Sequence, residues 1–230
     1  MNIVVLPCAG GSSFNYRKFK NKSKDVIIYE YPGHWSKIDK EFDKNMEEMV
    51  KNFVDEIVPK LVGNDLIILG HSMGALVGFE SIEHFQSKGI NVKKIYIAAC
   101  ASPDILTRLF GQYSSDLDVM AVIKKLRQVP DRILYSEFFT ENLLPAIKND
   151  FRLIKELKGR YNEIKKCNVP IVCLGGENDS AIHYDDIMAW REYTDCEIAF
   201  LEFEGNHFFV CEDNNIDIIL GIINNECASK

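Results

Sequence analysis

The chain has 230 residues, 47% of them hydrophobic, with 27 Lys and Arg against 34 Asp and Glu for a formal charge of −7. That is enough apolar material for one substantial core, while the acidic balance argues against general affinity for nucleic acid or an anionic membrane, since both demand a cationic surface. The seven cysteines (Cys8, Cys100, Cys167, Cys173, Cys196, Cys211 and Cys227) are scattered, with no CxxC pair and no His/Cys spacing that fits zinc, so reduced thiols in a cytoplasmic protein without a metal site are expected.

Residues 2–6 are a short β-branched apolar run closed by Pro7 and the turn-forming Gly10-Gly11-Ser12-Ser13, the pattern of a buried strand. The run is too short for a signal-peptide core and has no basic leader, and no later stretch is long and apolar enough to cross a bilayer. A glycine-rich turn after a strand can cradle phosphate or donate backbone N–H groups to an oxyanion. Gly10-Gly11 has neither GxGxxG spacing nor a Walker lysine, which favours the second role, with Ala9 N–H as donor if this strand neighbours the one ending at residue 69. Residues 26–31 predict the second strand, closed by Pro32-Gly33. Over 42–61, Phe42, Met46, Met49, Phe53, Ile57 and Leu61 recur at spacings of three and four, one face of a helix, and read as core packing.

Residues 65–69 predict a third strand, and helical periodicity runs from Met73 to Gly89. Gly70-His71-Ser72-Met73-Gly74 therefore falls on a strand-to-helix turn, the context in which GxSxG forms a nucleophile elbow. Gly70 and Gly74 stand where a Cβ would collide, and the helix beginning at Met73 aims backbone N–H groups at the site. A strand over 94–99 continues the alternation expected of a parallel sheet covered on both faces. From 102 to about 168 no strand is evident, but helical pieces are, at 117–129, 136–144 and 146–165. A helical insertion is expected, at about 103–145. Its aromatics Phe110, Tyr113, Tyr135, Phe138 and Phe139 read mainly as packing onto the sheet, with an acyl channel as the alternative. A strand over 169–174, a helix over 185–192, a strand over 198–203 and a helix over 216–224 complete one domain spanning 1–230.

Ligands of open parallel sheets bind beyond the carboxyl ends of the strands. Gly175-Gly176-Glu177-Asn178-Asp179 and Glu204-Gly205-Asn206-His207 each follow a predicted strand. With Ser72 they give the chain order Ser, Asp, His, which is that of α/β-hydrolases. Ser72 as nucleophile needs a base, which His207 supplies; Asp179 fixes the imidazole tautomer; the N–H groups of Ala9 and Met73 form the oxyanion hole. His183 is the second candidate base, and Glu177, Asp185 and Asp186 are alternative acids. His71 is expected to face away from Ser72.

With those residues placed, the chain resembles the type II thioesterases, the stand-alone editing hydrolases of nonribosomal peptide and polyketide synthases, and is similar to medium-chain acyl-carrier thioesterases. The resemblance rests on Pro7-Cys8-Ala9-Gly10-Gly11-Ser12, Tyr31-Pro32-Gly33, Gly70-His71-Ser72-Met73-Gly74-Ala75, Leu143-Leu144-Pro145-Ala146 with Asp150-Phe151-Arg152, Leu174-Gly175-Gly176 with Asp179, Trp190-Arg191, and Gly205-Asn206-His207-Phe208-Phe209. It implies the α/β-hydrolase fold, a mainly parallel sheet with helices on both faces and the insertion as a mobile lid, and assigns Ser72, Asp179 and His207 as nucleophile, acid and base. It also implies hydrolysis of acyl thioesters held on the phosphopantetheine arm of acyl or peptidyl carrier protein domains, with no cofactor of the enzyme's own. Cys8, Trp35 and Ser180 depart from the family pattern, the first two at the mouth of the site. Lys124, Lys125, Arg127 and Arg132 form a basic cluster that could meet an acidic carrier. The same triad would serve a carboxylesterase or lipase; a noncatalytic hydrolase-fold protein that binds carriers is the alternative from another class.

Overall fold

The structure is a computed structural model and describes residues 1–110, 116–126 and 131–228. Six strands, β1 (Asn2–Leu6), β2 (Val26–Ile28), β3 (Asp65–His71), β4 (Asn91–Ala98), β5 (Ile171–Gly176) and β6 (Ile198–Phe203), form one sheet in the order β2-β1-β3-β4-β5-β6. Every pairing is parallel. Alternate residues face opposite sides: Val4, Leu6, Ile68, Ile97 and Cys173 enter one core, and Ile3, Val5, Leu69, Ala98 and Leu174 the other. The first core is covered by α2 (Met46–Ile57), α3 (Met73–Ser87) and the helices inserted after β4; α1 (Arg17–Lys22) and α9 (Asp213–Ala228) cover the second. Two buried faces explain why the strands read as continuous apolar runs.

Local chemistry sets where elements begin and stop. The Asn45 side chain accepts the Glu48 N–H at 2.8 Å, so α2 starts at Met46 and Phe42 lies ahead of it. β2 is shorter than the predicted 26–31 because the chain turns away to bury Tyr29 and Tyr31, whose rings lie 5.2 Å apart, with Tyr29 4.9 Å from Phe53. The sequence pattern does not reveal α1: Phe19 is its one buried residue, too little for a periodic stripe.

Between β4 and β5 the chain forms α4 (Pro103–Phe110), α5 (Asp116–Lys125), α6 (Asp131–Leu134), a π-helical turn at Phe139–Leu143 and α7 (Leu144–Glu156). The helical stretch thus runs past residue 145 without a break, because the π turn leads directly into α7. α7 ends at Glu156, short of the expected 165; Gly159, at φ 89°, turns the chain out of the helix. Of the aromatics expected to pack the insertion, Phe139 is fully buried and Phe110 meets Phe151 edge-on at 4.6 Å. Tyr135 and Phe138 are 66% and 52% exposed and do not pack on the sheet. Tyr113 lies outside the described residues. Among the described residues no helix is long and apolar enough to cross a membrane.

Candidate active site

The strand order reverses at β1 and β3: the chain passes from β1 outward to β2, then returns to place β3 on the other flank of β1. Such a switch point opens a crevice at the carboxyl ends of the two strands. Leu6 is in register with Gly70, so the loops leaving β1 and β3 emerge side by side. Ser72, between β3 and α3, has φ 54° and ψ −118°, a conformation a side chain adopts only under strain of about 1–3 kcal/mol. The Ser72 N–H donates to Ala98 O at 2.8 Å, which pins the turn to β4. A Cβ on Gly70 would lie 2.3 Å from Ala75 Cα, and one on Gly74 2.4 Å from Leu6 O. The two glycines thus let the chain reverse and let α3 abut the end of β1 at Leu6 and Pro7.

The other two candidates come from β5 and β6, whose exit loops are stitched together by Asn178 N–H to Gly205 O at 2.9 Å. Asp179 Oδ2 lies 2.7 Å from His207 Nδ1, and Asp179 Oδ1 accepts the N–H groups of Ala181 at 2.8 Å and Ile182 at 3.2 Å. Burial pushes the Asp179 carboxyl up, but the bond and charge of His207 and the two backbone donors outweigh it and hold the group below its ordinary value. A carboxylate accepts, so His207 Nδ1 carries the proton and Nε2 is the nitrogen left to act as base. Ser72, His207, Cys8 and Ala9 line one cavity of about 190 Å³, with Leu109, Phe110, Val122 and Phe151 as apolar wall.

The rival candidates are placed otherwise. His183 borders the same cavity but caps α8 (Tyr184–Met188), where its N–H donates to Asp186 Oδ2 at 3.2 Å. Glu177 and Asp185 are exposed. Of the four candidate acids, Asp179 is the one bonded to the His207 ring. His71 is wholly buried, with Nδ1 2.6 Å from Tyr16 Oη and Nε2 2.8 Å from His207 O. Burial, and secondly the His207 ring, lower its pKa to about 3, so it stays neutral and props the loop that carries His207. Among the described residues no three His, Cys, Asp or Glu side chains are placed to hold a metal ion.

A serine at a strained elbow and an imidazole oriented by a buried carboxylate at one crevice are equipment for acyl transfer. The thioesterase domain family matches residues 1–227. This chain belongs to the thioesterase family. Gramicidin S biosynthesis protein GrsT of Aneurinibacillus migulanus is 27% identical over 217 residues, 92% of this chain and 84% of that protein. The structure of BorB, a type II thioesterase from the borrelidin biosynthetic cluster, superimposes with a TM-score of 0.80 at 27% identity, covering 97% of this chain and 91% of its own. ClbQ, from the colibactin NRPS/PKS pathway, gives a TM-score of 0.79 at 24% identity over 100% and 98% of the two chains, which speaks to the fold. The protein is thus a thioesterase by family and an α/β-hydrolase by fold, and its chemistry is thioester hydrolysis.

Beside its serine cavity the thioesterase has a wider groove of about 890 Å³, lined by Gly10, Phe14, Trp35, Ile38 and Phe138 among others. Cavity and groove share Cys8 and Phe208. The two departures expected at the mouth, Cys8 and Trp35, both line this groove, where Trp35 packs on Phe14 at 5.3 Å. Of the basic cluster, Arg132 lines the groove, Lys125 lines the serine cavity and Lys124 lies over the Tyr135 ring at 4.9 Å; Arg127 is outside the described residues.

Proposed function

We propose that Ser72, His207 and Asp179 form the catalytic triad, that Ala9 and Met73 N–H form the oxyanion hole, and that the substrate is an acyl group on a carrier-bound phosphopantetheine. His207 Nε2 takes the Ser72 proton as the hydroxyl oxygen attacks the thioester carbonyl; the oxyanion is held by the two amides. Collapse expels the thiolate, which takes its proton from the imidazolium. A thiolate leaves readily, so acylation depends little on that acid step. Water then attacks the acyl-serine with His207 again as base, and the acid and free Ser72 result. No cofactor enters either half.

The observation that carries this reading is the 2.7 Å bond between Asp179 and His207 at a cavity shared with the elbow serine and Ala9. Phosphopantetheine is long, slender and attached to a protein, and the apolar groove that meets the serine cavity at Cys8 and Phe208 suits such an arm. The names of the relatives, in gramicidin S and borrelidin biosynthesis, support an editing role in nonribosomal peptide or polyketide synthesis, in the cytoplasm beside the synthase. The docking partner is an acidic carrier domain met by Lys124, Lys125 and Arg132.

A panel of acetylated, longer-chain and aminoacylated carrier proteins, followed by thiol release, tests the reading. Carrier thioesters should be cleaved far better than a simple aryl ester, and the reverse preference would make the protein a carboxylesterase. Ser72→Ala should abolish turnover, and a fluorophosphonate should modify Ser72 alone. Charge reversal at Lys124, which lies outside the serine cavity, should slow carrier substrates while sparing a small pantetheine thioester; equal rates on carriers would dispose of the docking surface.

A further inference from the structure

The Cys8–Ala9 peptide carries the Ala9 N–H, the peptides before and after it are held by buried side chains, and we propose that Tyr16 and Asp150 are positioning residues that fix this N–H for the oxyanion. The inference rests on the assignment of Ala9 to the oxyanion hole. On one side the Cys8 N–H donates to Tyr16 Oη at 3.0 Å, and Tyr16 Oη lies 2.6 Å from His71 Nδ1. A carbonyl only accepts, so His71 Nε2, facing His207 O at 2.8 Å, bears the ring proton. Nδ1 is then an acceptor, and the tyrosine must donate to it while accepting from Cys8. Each atom of this relay has one role, and the relay joins the oxyanion loop to the loop of the catalytic base.

On the other side the Gly10 N–H donates to Asp150 Oδ2 at 2.8 Å, and the same oxygen receives His34 Nε2 at 3.0 Å. His34 Nδ1 lies 3.0 Å from Pro32 O, a pure acceptor, so with an ionised Asp150 both ring nitrogens face acceptors, a setting that favours the protonated ring. Burial works against that charge, yet the Asp150 carboxylate and its hydrogen bond raise the His34 pKa. Asp150 sits on the buried face of α7 with Ile147 and Ile154, and its Oδ1 has no hydrogen-bond partner among the described residues. A fully buried carboxylate with an orphaned oxygen is a poor choice for packing alone. It makes sense as a clamp on Gly10, where the loop, at φ 67°, rests so closely on Ile147 that a Cβ would lie 2.2 Å from Ile147 Cγ1. Gly11 N–H to Cys8 O at 2.9 Å closes the turn between the two clamps.

Removing an oxyanion donor outright costs about 10²–10³ in kcat, so a donor left in place but loosened should cost about tenfold. Tyr16→Phe deletes one oxygen and Asp150→Asn one charge. Each variant should lose about tenfold in kcat with KM within about twofold. Affinity for a trifluoromethyl ketone, whose adduct with Ser72 bears an oxyanion, should fall in parallel, while a thioether isostere of the substrate, which forms none, binds as before. If Ser72→Ala still hydrolyses thioesters, the triad has failed and this proposal with it. If Ser72 proves essential but both folded variants keep kcat and ketone affinity, the clamps alone are overturned; equal weakening of ketone and thioether overturns them too, since that marks general damage. Tyr16→Phe keeps the ring volume and every charge, and decides the matter alone if Asp150→Asn does not yield folded protein.

Discussion

Replacing Asp179 by asparagine sets the two duties of that carboxylate against each other. One oxygen faces His207 Nδ1 at 2.7 Å and the other accepts from Ala181 and Ile182 at 2.8 and 3.2 Å. An amide has a single acceptor. With its oxygen toward Ala181 and Ile182, the substituted side chain keeps two bonds and turns its NH₂ onto the imidazole; the opposite orientation strands two backbone donors against an NH₂, at about 1–3 kcal/mol each. The first orientation therefore prevails. Its NH₂ donates to Nδ1, the ring proton moves to Nε2, and Nε2 loses the lone pair that must receive the Ser72 proton. The expected loss is about 10⁴ in kcat, or about 5.5 kcal/mol of barrier, because the ring is held in the wrong tautomer. KM should change little, since Asp179 is not part of the cavity wall. Thiol release from an acyl-pantetheine substrate measures both constants, and thermal melting confirms the fold. A folded Asp179→Asn protein keeping more than about a tenth of the wild-type kcat would refute the tautomer argument.

Two buried histidines should move stability in opposite directions with pH. His71 titrates near 6.5 unfolded but only at about 3 folded, so the unfolded chain gains the proton first and stability falls as pH drops. At pH 5 the cost is about 2 kcal/mol, 1.5 pH units at 1.36 kcal/mol each. Urea midpoints of wild type and His71→Gln across that range should diverge by this amount, and parallel curves would contradict it. His34 has a raised folded-state pKa, so its contribution is complete below its ordinary 6.5 and is lost as pH climbs through the raised value. His34→Gln should lack that alkaline decline, again read from denaturation midpoints. Ser72→Gly should remove the strain at φ 54°, worth about 1–3 kcal/mol less about 0.5–1 for glycine's extra chain entropy. It should melt above Ser72→Ala, with both inactive; a lower melting temperature for the glycine variant would mean the elbow stores no strain.

The alternation of elements, the elbow and the order Ser, Asp, His were legible in the chain because each depends on local pattern: apolar runs of strand length, a glycine two places either side of a serine, acidic and imidazole groups at strand ends. What joins them is nonlocal. The register of Leu6 with Gly70, which brings Ala9 to Ser72, follows from strand order and has no local mark. Tyr16, His34, His71 and Asp150 were invisible as a group, since the Asp150 carboxylate reaches across 140 residues to Gly10 and 116 to His34. One signal was available: Asp150 falls on the apolar face of an amphipathic helix with Ile147 and Ile154, a position where an acid needs a buried partner. Helical periodicity overstated α7 because nothing in the pattern weighs a single left-handed glycine at 159.

Every catalytic candidate hangs from the rim of the parallel sheet, at the ends of β1, β3, β5 and β6, whereas the helices α4 to α7 all enter between β4 and β5. The candidate triad and most of the apolar wall of its cavity therefore lie on separate stretches of polypeptide, joined where Asp150 of α7 holds Gly10. The part of the cavity wall on α4 and α5, Leu109, Phe110 and Val122, could be exchanged as one contiguous piece while Ser72, His207 and the Asp150 clamp on α7 stay untouched. An enzyme so divided can change the cargo it accepts without relearning how to cut it.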